Sequence, residues 1–199
     1  MCTLKLKDIA KVRTGLILTR KRARDSFEVK QEYPLLTLQN IDETGFFTDV
    51  PFDTYQSKDI LEEQYLTQSG DIILRLNDPY TAVYIDENKK GIVFPNYFVA
   101  LSIDDERYSP GFISWYLNTD YVKRKYKKGQ AGTLVPNINR SLILNLPIPT
   151  LSLQKQEKIA TLYSLHLKER HLYQQLLNEK QTYYKGYTEQ IIQRIMGEN

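Results

Sequence analysis

Apolar and polar residues alternate in short runs over the first three-quarters of the chain. Beyond that they fall into one long helical stripe. Residues 4–12 alternate loosely, with Leu4, Leu6, Ile9, Ala10 and Val12 on plausible inner faces. Tyr33 to Ile41 reads as a strand with Pro34 at its start, where a missing N–H is tolerated. Ile41 to Phe46 has turn chemistry. Gly70–Leu76, Thr81–Ile85, Gly91–Phe94 and Tyr97–Ile103 are strand candidates, separated by turns at Asn77-Asp78-Pro79 and Glu87–Gly91. Ser109-Pro110 opens a helix whose apolar face, Phe112, Ile113, Tyr116 and Leu117, runs to about Lys123. Pro147 and Pro149 favour an extended segment. Ser152 then offers itself as a helix N-cap, although Lys155 stands where a capping box would place an acid or amide.

From Ser152 to about Met196 no proline interrupts the pattern. Apolar or aromatic residues recur at 159, 162, 165, 172, 176, 183, 187, 191 and 195, at spacings of three, four or seven or close to them. Glu169 and Lys180 interrupt this stripe, and Gly186 lowers helix propensity. A continuous helix of that span would be roughly 65–70 Å long. A domain of ~150 residues does not offer that much surface, so part of the stripe is expected to bury itself against another chain. The pattern therefore predicts an α+β protein. Its mixed α/β domain spans 1–150, and one long helix over 151–199 forms an antiparallel coiled coil between two copies. Leu162, Leu165, Leu172, Leu176, Tyr183, Tyr187 and Ile191 are expected in the seam.

Composition changes this picture little. At 199 residues, 41% hydrophobic and 26% charged, the chain has the make-up of a soluble globular protein. No apolar run is long enough for a bilayer, no signal-peptide core opens the chain, and Cys2 has no partner for a disulfide, which together suggest the cytoplasm. The net charge of +3 says less than its distribution. Lys11, Arg13, Arg20, Lys21, Arg22 and Arg24 follow one another with no acid between them. Lys123, Arg124, Lys125, Lys127 and Lys128 form a second cluster. Acids gather elsewhere, at Glu43, Asp49, Asp53, Asp59, Glu62 and Glu63 and again at Asp104 to Glu106. Such segregation suits a binder of phosphates; solvated loops and helix ends would look the same.

A catalytic centre does not emerge. His166 and His171 are five apart and lack the metal spacing, so no metal is expected. Asn77-Asp78-Pro79-Tyr80 is similar to the Asn-Pro-Pro-Tyr motif of amino-methyltransferases. However, its second residue is Asp78, and no glycine-rich loop for an adenosyl cofactor follows an early strand; a turn is the better reading. Neither a nucleophile elbow nor a P-loop is present. The chain is read as non-enzymatic and without a cofactor. Tyr80, Tyr84 and Tyr97 suit either a core or a DNA-facing surface.

The segment Gly132 to Arg140, continuing through Leu142, Leu146, Ile148, Pro149 and Leu151 to Gln154, Gln156 and Ile159, resembles the specificity subunit of type I restriction–modification systems. There a recognition domain ends in a hydrophobic strand, an Ile-Pro-rich stretch and a Leu-x-x-Gln-x-x-Ile helix opening. Gln154 has the right spacing from Leu151 and Gln156 from Ile159, so the glutamine register is ambiguous. Leu4 to Val12 with Gly15 is similar to the family's opening, Ser69-Gly70-Asp71-Ile72-Ile73-Leu74 to its Gly-Asp-Ile strand, and Pro110 to Thr119 to its helix before a basic loop. One recognition domain and one helix resemble a half-length subunit. The resemblance implies a non-catalytic subunit that binds double-stranded DNA at one half-site of a bipartite target. It implies partnership with a methyltransferase subunit and, through the complex, a restriction subunit, which hold the methyl donor and ATP. It places DNA contact at Arg20, Lys21, Arg22, Arg24, Arg75, Asn77, Lys123, Lys125, Lys127, Lys128, Gln130 and Thr133. Lysines are the expected phosphate neutralisers, and Arg22, Arg75, Asn77 and Gln130 the expected base readers. The competing readings are a coiled-coil protein adaptor with no DNA binding, and a fragment of a single-chain methyltransferase.

Overall fold

Three bulky apolar residues in succession, Ile72, Ile73 and Leu74, can all be buried only if both faces of their strand are covered. In the computed structural model, which describes residues 4–129 and 138–197, all three have no exposed surface. They belong to a four-stranded antiparallel sheet of β1 (Ala10–Thr14), β4 (Ile72–Arg75), β5 (Ala82–Tyr84) and β6 (Phe98–Ile103), in the order β1-β6-β4-β5. Ile73 pairs with Val83 and Ala100, and these residues join Leu36, Ile85, Ile92, Phe94 and Phe98 on one face. Ile72 and Leu74 face the other way, with Ala82, Val99 and Leu101. There they meet α2 (Pro110–Leu117) and α3 (Asp120–Gly129) through Phe112, Ile113, Tyr116, Leu117, Val122 and Tyr126. A two-stranded antiparallel ribbon, β2 (Gln31–Leu35) and β3 (Asp53–Ser57), covers a third cluster of Leu16, Tyr33, Leu35, Tyr55, Leu61 and Val93.

The interior also holds an ion pair. Arg13 on β1 donates through Nη2 to Asp71, whose carboxylate also accepts Gln68 N (2.8 Å) and Ser102 Oγ on β6 (2.7 Å). The other arm, Nη1, donates to the carbonyls of Glu63, Gln64 and Leu66 at 3.1–3.2 Å. The guanidinium also lies 5.8 Å from the Phe94 ring centroid. Arg13 is therefore not part of the surface basic cluster in which the sequence places it. Lys11, its neighbour, pairs with Asp104 at 2.9 Å. Gly70, at φ +88°, makes the turn that delivers Asp71 inward, a conformation costly for any residue with a Cβ.

Several elements differ from the sequence expectation. The strand expected to reach Ile41 stops at Leu35, and residues 38–40 form a 3-10 turn. The Asn40 amide causes this, accepting Thr37 N at 2.8 Å and donating to Val50 O at 2.9 Å. Residues 91–94 form isolated bridges from Val93 to Leu35 and Leu66 rather than a strand. The helix expected to run to Lys123 breaks at Asn118, whose side chain clamps the backbone of Ala82 on β5, accepting from N (2.9 Å) and donating to O (2.6 Å). The hydrophobic strand expected around Leu142 is instead a short helix, α4 (Arg140–Leu144), capped by Asn139, whose Oδ1 accepts Leu142 N at 2.8 Å. An apolar run this short does not distinguish strand from helix, and the capping amide decides. The extended proline segment is present: Pro147 bridges Lys5, and Ile148 N donates to Leu4 O at 2.8 Å.

Helix α5 runs from Leu153 to Gly197, through Gly186. Lys155 N and Gln156 N both donate to the Ser152 carbonyl. The glutamine register resolves on Gln156. It is fully buried, its Oε1 accepts Ser109 N (3.0 Å), and its Nε2 donates to the carbonyls of Arg107 and Leu151, both at 2.9 Å. Gln154 is exposed. The chain divides into two compact units, Met1–Tyr163 and Ser164–Asn199. Described by itself, the second is helix as far as Gly197, and Leu165, Leu172, Leu176, Tyr183, Tyr187 and Ile191 are all exposed. Leu162, the first stripe residue of the expected seam, is exposed in the first unit. Among the described residues no helix is long and apolar enough to cross a membrane.

Asp71→Ala leaves the Arg13 charge without its partner in a largely water-free site. Denaturant unfolding is expected to show a loss of about 3–5 kcal/mol; a loss below ~1 kcal/mol would contradict the ion pair's structural role.

Candidate nucleic-acid interface

The first basic group sits on a loop held against the edge of β3. Gly15 begins the loop. A Cβ there would lie 2.1 Å from the Pro95 carbonyl oxygen, so only glycine lets the chain pass and Leu16 N bond to Phe94 O at 2.9 Å. A single helical turn, α1 (Leu18–Lys21), follows. Its Leu18 carbonyl accepts the Tyr55 hydroxyl at 2.7 Å, and Lys58 N donates to Lys21 O at 2.9 Å. The Arg22 guanidinium lies 5.7 Å from the Tyr55 ring centroid. Lys21 is paired with Asp59 at 3.0 Å, which raises the lysine pKa and lowers that of the carboxyl. Arg20 and Arg24 are exposed and carry no ion pair among the described residues.

The second group combines residues far apart in sequence. Arg75 ends β4, and its Nε donates to Asn77 Oδ1 at 2.6 Å, which fixes the plane of the guanidinium. The Asn77–Tyr80 turn closes by Tyr80 N donating to Asn77 O at 2.8 Å. Asp78 in this turn meets Lys127 of α3 at 3.4 Å. Lys123, one turn earlier on α3, is half-buried and donates to Glu43 O at 3.2 Å. Desolvation pushes its pKa down, against the pull of Asp120, Glu43 and Asp78. Lys125 lies 5.0 Å from the Tyr121 ring centroid. Lys128 is exposed, with no ion pair among the described residues. Tyr97 lies beside the second group: burial raises the pKa of its hydroxyl, which also feels Asp53 and Arg75.

The structure thus brings Arg75, Asn77, Lys123 and Lys127 together and leaves Arg20, Lys21, Arg22 and Arg24 as a separate group at the Ser57 end of β3. Gln130 and Thr133 lie outside the described residues. The segregation of acids from bases along the chain does not carry into space, because Asp59, Glu43 and Asp78 all return to basic partners. Of the three tyrosines, Tyr80 is buried edge-on against Tyr126 (5.7 Å between centroids), Tyr84 is exposed and Tyr97 half-buried. Asp78 is the residue of the second group that the sequence pattern does not assign there. The only signal for Asp78 was its place in a turn beside Asn77. Among the described residues no three His, Cys, Asp or Glu side chains converge as a metal set would.

Comparison with known proteins bears on this surface. The family model described as the type I restriction modification DNA specificity domain matches residues 1–179. No curated protein matches the chain. Among solved structures, it is similar to the HsdS subunit from Thermoanaerobacter tengcongensis, at 15% identity and a TM-score of 0.64, covering 96% of this chain and 48% of that one. It is similar to a chain in a structure concerned with complex assembly and conformational transition of the type I R-M system, at 16% identity and a TM-score of 0.64, covering 98% and 48%. It is also similar to the type I restriction-modification system S subunit from M. genitalium, at 14% identity and a TM-score of 0.58, covering 92% and 43%. At these identities the likeness establishes the fold. The chain spans about half the length of these structures.

The packing of Lys123 has a measurable consequence. Its folded pKa lies below its unfolded one, so the desolvation penalty is present at neutral pH and is relieved as pH rises through the folded and then the unfolded value. Side-chain NMR of labelled lysines is expected to show Lys123 losing its proton at lower pH in the folded chain than in the unfolded chain. The same titration in both states would contradict the packing.

Proposed function

Because the chain belongs to the type I restriction modification DNA specificity domain family, we propose that it is a non-catalytic DNA sequence-specificity subunit that binds one half-site of a bipartite target. The family match carries this reading, and the cations that carry no ion pair among the described residues support it. Arg20 and Arg24 on one loop and Lys125 and Lys128 on α3 are placed to neutralise phosphates, which fixes position without reading sequence. Lys21, Lys123 and Lys127 are engaged in the free protein, and each would exchange an intramolecular partner for a phosphate. Arg75 is the strongest base reader. With Nε held by Asn77, its terminal nitrogens would form a fork that matches O6 and N7 of guanine. Arg22 and Asn77 share that role. Gln130 and Thr133 are assigned to DNA on the sequence resemblance.

The unpartnered stripe of α5 supports antiparallel pairing of two copies through Leu162, Leu165, Leu172, Leu176, Tyr183, Tyr187 and Ile191. The globular domain of 1–150 reads DNA, and the helix of 151–199 spaces the copies and docks a methyltransferase subunit. That subunit, and a restriction subunit within the same cytoplasmic assembly, supply the methyl donor and ATP.

Replacing Lys125, Lys127 and Lys128 together with alanine is expected to weaken binding to duplexes of every sequence. It should also flatten the dependence of log affinity on log salt by about one unit for each phosphate that is no longer neutralised. If the folded triple variant keeps the wild-type affinity and slope, α3 does not face the DNA.

A further inference from the structure

Phe27 is 98% exposed, more than any other large hydrophobic side chain among the described residues. A lone exposed apolar residue is ordinary in a globular protein. What surrounds this one is not. The loop's shoulders are pinned to β3, with Ala23 N donating to Gln56 O (3.0 Å) and Lys30 N to Ser57 O (2.9 Å). Its tip closes on itself. The Asp25 carboxylate accepts the N–H groups of Phe27 (3.0 Å) and Glu28 (3.1 Å), and the Glu28 carboxylate accepts Arg24 N (2.9 Å). Both acids of the tip are thereby turned onto its own backbone, while Arg20, Arg22 and Arg24 stay exposed around it. A hydrogen-bonded loop tip thus displays an aromatic ring among cations, and at this exposure the ring contributes almost nothing to the fold.

We propose that Phe27 is an apolar base contact: with the neighbouring arginines on phosphates, its ring enters the major groove and packs against the 5-methyl group of a thymine. This rests on the reading of the chain as a DNA-binding subunit and adds to it a recognition element that does not use hydrogen bonds. A cationic loop alone binds every duplex alike. An apolar side chain at its tip discriminates because only thymine presents a methyl group in that groove. The contact is non-ionic, so it strengthens binding without releasing counterions and leaves the salt dependence untouched.

The test uses the full chain and a duplex selected by it from a random pool. Phe27→Ala is expected to melt at the wild-type temperature, since the ring touches little. It should bind on the order of tenfold more weakly at every salt concentration, with an unchanged slope. An Arg20→Ala, Arg24→Ala double variant should instead flatten the slope. Replacing the thymines of the duplex by uracil one at a time should identify one position where removal of the methyl group weakens wild type severalfold and leaves Phe27→Ala unaffected. Wild-type affinity in Phe27→Ala, a changed slope, or an equal uracil penalty in both proteins would overturn the proposal. So would a variant that binds DNA normally but no longer binds the methylating subunit, since the ring would then be a protein contact. A wild type with no salt-dependent affinity for any duplex would instead remove the DNA-binding reading on which the proposal stands.

Discussion

The Arg13 guanidinium and the Asp71 carboxylate meet inside the protein, and much of the globular unit is arranged around keeping them there. A charge in a largely enclosed site needs a partner and most of its hydrogen-bonding capacity supplied; here both terminal nitrogens of Arg13 are bonded and its buried Nε is left without a hydrogen bond. These bonds tie together β1 through Arg13, the start of β4 through Asp71, β6 through Ser102 and the turn at 63–66 through its carbonyls. Two glycines follow from this. Gly70 turns the chain so that Asp71 points inward, and Gly15, two residues beyond Arg13, lets the chain pass against Pro95 and leave the sheet as the basic loop. The loop that carries Arg20 to Phe27 therefore starts from a position fixed by the core and is pinned to β3 at its shoulders.

How much of this was legible in the sequence depends on what kind of information periodicity carries. Short apolar runs between turn signals and the period-3.6 pattern identify elements, so β4, β6, α2 and α5 were visible. Partners were not. Arg13 read as one more base in a basic run because its carboxylate lies 58 residues away. Lys21, Lys123 and Lys127 read as free cations because Asp59, Glu43 and Asp78 are distant in the chain and near in space. Asn40 and Asn118 ended a strand and a helix through side-chain bonds to backbone that no local pattern announces. The two glutamines at 154 and 156 could not be separated by spacing, yet burial separates them completely. The amide of Gln156 satisfies Ser109, Arg107 and Leu151 at the point where the proline segment gives way to the helix.

The candidate site follows a division of labour common in binding proteins, with variable contacts on loops and rigidity beneath them. Of the cations assigned to DNA, those already engaged are held by single exposed or half-exposed partners, which a phosphate can replace at small cost. Arg75 is held differently. Its bond to Asn77 restrains the plane of the guanidinium, which in the proposed role would reduce the entropy lost when a base is read. The proposed pairing of two copies rests on the exposed leucines and tyrosines of the second unit's helix, and two identical heads would impose their two-fold symmetry on any DNA they read together.

That symmetry gives the most direct test of the central claim, that this chain is a recognition head acting in pairs. Methylated bases would be mapped across the genome of cells carrying the chain with its methylating partner as the sole specificity source. The expected result is an interrupted palindrome: a short motif, a spacer without sequence, and the inverted motif, absent when the chain is deleted. An asymmetric bipartite motif, or a methylation pattern that survives the deletion, would contradict it.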